Sequence, residues 1–213
     1  MRVAICRVWA DPIQCTIGNS DTSELNEGSD QMFYLDIDNE ATCNGTITNW
    51  TVCYYGTDLR SGSYWATYAV YRRGSGVNSG SFERVSETFR ALRATLGTPD
   101  PFDIIDGTIS EGFNCYTDVD SIDAGPSPLT IQAGDIIGAC VVNPLGGSLR
   151  ELNIVGEASE ESLMGADLDC TENAIPTIPA IIQQIDLQPQ SDRRLHIYAN
   201  VEPDSKNTIA CSR

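Results

Sequence analysis

Apolar and polar positions alternate with a period of two along much of this chain. In residues 46–55, Trp50, Val52 and Tyr54 fall on one face while Asn49, Thr51 and Cys53 fall on the other, which predicts a strand with one buried side. Phe33, Leu35 and Ile37 alternate with Tyr34, Asp36 and Asp38, and predict a half-buried strand. Residues 64–72 are apolar on both faces, with Trp65, Ala69 and Tyr71 opposite Tyr64, Tyr68 and Val70, the mark of a central strand. In residues 195–201, Leu195, Ile197, Ala199 and Val201 take the core face, which sets His196, Tyr198 and Asn200 on the polar one and predicts a surface histidine.

Residues 103–109, 112–117, 129–132, 135–142 and 151–155 are further strand candidates. Between 81 and 96 the period changes: Phe82, Val85, Phe89, Leu92 and Leu96 stand at helical spacing, so periodicity favours a short amphipathic helix, although Val, Thr and Phe also suit a strand. Thr98-Pro99-Asp100-Pro101 ends the element either way. Short strands separated by Gly, Pro, Asn and Asp turns give an all-β reading: an antiparallel β-sandwich or jelly roll with at most one short helix. The expected layout is an N-terminal strand and acidic extension over 1–45, a sandwich module over 46–202 and a tail over 203–213. Residues 16–31 read as an exposed connection. Residues 151–192 hold nine acids and no Lys or Arg, with a loop-like stretch at 176–179.

Charge narrows the function classes. Thirty acidic against 13 basic residues give a formal net charge of −17, which repels phosphate backbones and anionic membrane surfaces and argues against nucleic-acid binding. No run of about twenty apolar residues is present, so membrane insertion through a helix is not expected. Lys206 is the only lysine. The arginines suit fixed bidentate pairing with carboxylates, and several are expected to be structural partners of the acid excess.

Eight cysteines stand at Cys6, Cys15, Cys43, Cys53, Cys115, Cys140, Cys170 and Cys211, none in a Cys-x-x-Cys spacing. With one histidine in the chain, this pattern points to four disulfides rather than a metal site, with the connectivity open. Between Cys43 and Cys53 lie two N-glycosylation acceptors, Asn44-Gly45-Thr46 and Asn49-Trp50-Thr51. Composition alone would supply roughly one or two such sequons; together with eight cysteines they predict an extracellular, secreted glycoprotein carrying N-linked glycans. The N-terminal apolar stretch is broken by Arg7 and too short for a signal sequence, so the chain reads as a mature or partial one.

Three acidic clusters suggest calcium: Asp36, Asp38 and Glu40 with Asn39; Asp118 and Asp120 with Asp123; and Asp167 with Asp169. Calcium takes six to eight oxygens and Asp-rich loops supply them, but none of these has EF-hand spacing, and alternating Asp is also an ordinary solvated face. No nucleophile elbow, zinc-protease or phosphate-loop motif occurs, and nothing selects one carboxylate pair out of thirty acids, so no enzyme activity is expected. Tyr55 and Tyr64, at strand ends, are the best placed aromatics to stack on a sugar.

Several runs also occur in a fixed order. Ile47–Tyr55, with its Trp50, is followed by 66–72, then by Gly112-Phe113-Asn114-Cys115, then by 129–140 with its Gly134-Asp135-Ile136-Ile137-Gly138, then by 152–156 and 195–199. Over roughly 46–202 this resembles a loosely characterised β-sandwich module of secreted and cell-surface proteins in marine invertebrates. The resemblance implies an all-β extracellular module, implies a strand over 81–95, and carries no catalytic residues. The Cys6 and Cys15 region, Cys140 and the Cys211 tail depart from it. The expected role is a structural or adhesive building block of extracellular matrix or filaments, self-associating or bound to other extracellular glycoproteins. Terminal strands and cysteines would provide the joints. The alternative is a lectin-like carbohydrate-binding module, with calcium as its candidate cofactor.

Overall fold

The computed structural model describes residues 15–20, 33–57, 62–85, 90–96, 112–118, 129–142, 151–166 and 178–204. They form fourteen strands: β1 (Cys15–Gly18), β2 (Phe33–Asp36), β3 (Gly45–Thr57), β4 (Gly62–Arg73), β5 (Ser81–Arg84), β6 (Arg90–Leu96), β7 (Gly112–Asp118), β8 (Thr130–Ile131), β9 (Ile136–Val142), β10 (Glu151–Asn153), β11 (Val155–Ala166), β12 (Ile181–Gln183), β13 (Gln188–Leu195) and β14 (Ile197–Pro203). Among the described residues there is no α-helix, only 3-10 turns at Gly76–Asn78 and Gln184–Asp186.

Every pairing is antiparallel. In the first sheet, of six strands, β3 is the spine, with β14 and β10 along one edge, β7 and β8 along the other, and β1 outside β14. The second sheet has eight strands and runs β12-β5-β4-β9-β2-β11-β13, with β6 also on β4. The two sheets face each other across a core of Ile17, Trp50, Val52, Tyr54, Ile197 and Ala199 from the first and Tyr34, Tyr68, Val70, Ile137, Ala139 and Leu163 from the second. Trp50 and Tyr68 meet across it with ring centroids 5.0 Å apart, a contact worth about 0.5–1.5 kcal/mol beyond area burial. The sandwich architecture follows from the alternation, since each strand can bury its apolar face only against another sheet.

At one margin the chain passes between sheets twice. β10 lies in the first sheet and β11 in the second, separated by Ile154; β13 lies in the second and β14 in the first, separated by His196. The His196 N–H donates to the Ile154 carbonyl at 2.8 Å, and the Cys53 N–H donates to the His196 carbonyl at 2.8 Å. Both switch residues are buried, so backbone bonds close the seam where the ladders change partner.

The second sheet is buried on its far face as well. Phe33, Leu35, Ala69, Tyr71, Phe82 and Ile136 pack there with Ile182 of the edge strand β12 and with Ile178 and Leu187 on either side of it. The Tyr71 hydroxyl donates to the Pro179 carbonyl at 2.6 Å, Arg84 Nη1 donates to the Ile178 carbonyl at 3.0 Å, and the Arg84 N–H donates to the Ala180 carbonyl at 2.8 Å. Packing against this segment explains why β4 is apolar on both faces. Burial pushes the Tyr71 phenol well above its ordinary value, against the opposing pull of Arg84. A phenol whose folded pKa is raised stabilises the fold fully below the unfolded value of about 10, and that contribution fades as pH rises beyond it. Urea titrations should therefore show wild type losing about 1.4 kcal/mol per pH unit above pH ~10 relative to Tyr71→Phe; parallel pH profiles would remove this assignment.

Several expectations are revised. The helix favoured over 81–96 is absent, because Ser81–Arg84 and Arg90–Leu96 are strands on one edge of β4; Phe82 alternates into the second core instead of lining a helical stripe. β2 is not half-buried. All four of its residues are buried because β9 and β11 flank it and both sheet faces are covered. β1 and β2, assigned ahead of the sandwich, are strands of it, and residues 16–19 are not an exposed connection, with Ile17 fully buried. His196 is buried rather than on the surface, because it sits at the sheet switch. The strand candidate at 103–109 lies outside the described residues.

Candidate functional site

The chemistry gathers on the outer face of the first sheet, built on β3. Its inward positions, Trp50, Val52 and Tyr54, are buried as the alternation requires. On the outer face, register makes cross-strand pairs with β14 and β7. Asn200 Nδ2 donates to Asn49 Oδ1 at 2.7 Å, and the Thr51 and Thr117 hydroxyls are 2.9 Å apart. Cys53 and Cys115 stand directly opposite and form a disulfide, with Cα atoms 4.0 Å apart. Tyr55 stands opposite Phe113, both half-buried, and Phe113 meets the His196 ring edge-on at 6.3 Å. Arg194 Nε donates to His196 Nε2 at 3.2 Å, so that nitrogen serves as an acceptor.

Asn44 sits just before β3 and is exposed; its Oδ1 accepts the Ala133 N–H at 2.8 Å. Asn49 is half-buried within the strand. Both sequon asparagines thus stand on the same strand or at its start. The bracketing cysteines do not pair with each other. Cys43 bonds Cys15, Cα atoms 6.1 Å apart, tying the approach to β3 onto β1, while Cys53 bonds Cys115. Cys140, in β9, is also disulfide-bonded. Cys6, Cys170 and Cys211 lie outside the described residues.

A second cluster centres on the turn Gln132-Ala133-Gly134-Asp135. The Asp135 N–H donates to the Gln132 carbonyl at 3.0 Å, and Gly134 takes φ +87°, a conformation that excludes most side chains. The buried Asp135 carboxylate accepts the Gln132 N–H at 2.8 Å and a fork from Arg72, Nε at 2.7 Å and Nη2 at 2.8 Å. The hydrogen bond to Asp135 holds the Arg72 guanidinium above its ordinary pKa, with burial pulling the other way. Ala41 brackets the same turn, its N–H donating to the Asp135 carbonyl and its carbonyl accepting from Gly134, both at 2.8 Å. Next to it Arg73 pairs with Glu40 at 2.9 Å and lies over the Phe82 ring at 5.1 Å.

The chain matches none of the family models, curated proteins or solved structures compared with it.

Of the calcium candidates, Asp36 is buried and accepts the Asn39 N–H at 3.2 Å and its side-chain amide at 3.0 Å; Asp38 is exposed, and Glu40 is on Arg73. The three are not brought together, and among the described residues no group of three metal-ligating side chains is found. Asp118 ends β7, and Asp120 and Asp123 lie outside the described residues. Tyr55 is half-buried against Phe113, and Tyr64 lies in β4. The Arg72–Asp135 pair was not singled out from sequence. Its signals were a Gly-Asp turn ahead of a strand and an arginine at the end of a doubly apolar one.

No helix among the described residues is long and apolar enough to cross a membrane. Among the described residues, three large apolar side chains are exposed: Val77, Ile181 and Ile185, at 101%, 55% and 86% exposure. The Gln184 N–H donates to the Gly80 carbonyl at 2.7 Å, setting the turn that carries Ile185 beside the one that carries Val77. The three therefore share one rim of the second sheet.

Proposed function

We propose that this protein is a secreted, N-glycosylated building block that acts structurally or adhesively outside cells, associating with further copies of itself or with other extracellular glycoproteins. The observation that carries this reading is the apolar rim at β12. Among the described residues β12 pairs only with β5, and an edge strand flanked by exposed isoleucines is a template for another strand. Residues 174–185 contain no charged residue in a chain of net charge −17, so like-charge repulsion between two copies is weak along this stretch. The disulfide-clamped sandwich suits an oxidising exterior. Glycans on Asn44 and Asn49 would keep the outer face of the first sheet in water and leave the second sheet's rim for association. Cys6 and Cys211, near the two ends, are the candidates for covalent locking between copies.

Material from a secretory host, run on reducing and non-reducing gels, tests the covalent version: a disulfide-linked ladder that collapses on reduction is expected. A monomer under both conditions contradicts it. The same material should lose two glycans on N-glycosidase treatment, and Asn44→Gln and Asn49→Gln should each abolish one; a single unglycosylated mass would remove the secreted assignment.

A further inference from the structure

We propose that Cys115 is a thiol-exchange site, at which a low-molecular-weight thiol opens the Cys53–Cys115 disulfide and remains attached to Cys115. The two sulfurs differ in access. Cys115 is exposed on β7, which among the described residues pairs only with β3, whereas Cys53 is 2% exposed. Thiol–disulfide exchange is governed by which sulfur a thiolate can reach, and here only one belongs to an exposed residue.

The register of the sheet places the two cysteines side by side. The Cys53 N–H points away from β7, to the His196 carbonyl, so Cys53 and Cys115 are an opposed pair that exchanges no backbone hydrogen bonds, the closely spaced kind in an antiparallel ladder. Their Cα distance of 4.0 Å is below the span of about 4.4–6.8 Å usual for a disulfide, and departures from that span make the bond easier to reduce. The Cys15–Cys43 pair, at 6.1 Å, is within the span, and Cys15 is 1% exposed. One chain thus holds a labile bond and an internal control.

In the exchange, the incoming thiolate sulfur bonds to Cys115 Sγ and the Sγ–Sγ bond breaks. The electron pair leaves on Cys53 Sγ, which takes a proton from water, and nothing beyond the thiol is consumed. The strands stay paired, because β3 and β7 are in register from Trp50 opposite Asp118 to Gly56 opposite Gly112, and the inward side of β3 remains in the core.

Cysteamine is the suitable probe, since a chain of net charge −17 repels anionic thiols. Folded protein is treated with limiting cysteamine, quenched with N-ethylmaleimide and mapped by peptide mass spectrometry. The expected product carries cysteamine on Cys115 and maleimide on Cys53, and forms about tenfold or more faster than any opening of Cys15–Cys43, with the near-ultraviolet circular dichroism retained. Equal or faster opening of Cys15–Cys43, cysteamine on Cys53, or loss of the tertiary signal would each overturn the proposal.

Discussion

Arg72→Met should lower the unfolding free energy by about 3 kcal/mol, or about 6–12 °C in Tm. The substitution keeps the aliphatic stem and removes the fork that neutralises Asp135. Asp135 is 1% exposed and would retain only the Gln132 N–H among the bonds described above. Leaving one partner of a buried pair uncompensated costs about 3–5 kcal/mol, and the Arg72 side chain, 39% exposed, is partly screened by water, which places the effect at the low end. The double variant Arg72→Met/Asp135→Asn no longer buries a lone charge and should recover about half of the loss. Denaturant titrations of both variants decide: equal losses in single and double would show that charge compensation is not what holds the turn.

Gly138→Val should be the more severe change. A Cβ at Gly138 would stand 2.5 Å from a Tyr71 ring carbon and 2.6 Å from a Phe33 ring carbon, where those rings already meet edge to face at 5.5 Å. Overpacking of this kind costs about 1–3 kcal/mol for a single added methyl, so Gly138→Ala should fold with that loss. Gly138→Val should exceed it, displacing Tyr71 from the Pro179 carbonyl. Phe33→Leu introduced with Gly138→Ala should cost less than the sum of the two, because the smaller side chain vacates the space the methyl needs. Strict additivity would mean that the two sites do not share this contact.

The strands most legible in the sequence were those with one face in the core. The alternation of Trp50, Val52 and Tyr54 assigned the inward face of β3, and Ile197, Ala199 and Val201 did the same for β14. The doubly apolar β4 announced a second covered face, although what covers it could not be read: Ile178 to Leu187 reaches it from far along the chain. β11 and β13 were missed because their sequences are polar and irregular. They pair with each other through a register shift between Glu157 and Ser162, and only Val155, Leu163, Ala166 and Leu195 among their described side chains are buried apolar anchors. Strands near a sheet edge owe their conformation to a partner's backbone, which leaves little trace in residue type. His196 misled for a related reason. Alternation assumes one continuous strand in one sheet, and at this residue the chain changes sheets. Among the site residues, the cysteines and sequons were legible as chemistry, but their pairings depend on register, which aligns Cys53 with Cys115 and Asn49 with Asn200 across strands distant in sequence.

The most direct test of the proposed role is light scattering on the secreted, glycosylated protein over rising concentration, with Ile181→Lys as the companion. The mass of wild type should climb beyond the 23.1 kDa polypeptide plus its glycans, and Ile181→Lys, which places a charge on the rim without touching either core, should hold it near the monomer. A wild-type protein that stays monomeric throughout would contradict that role.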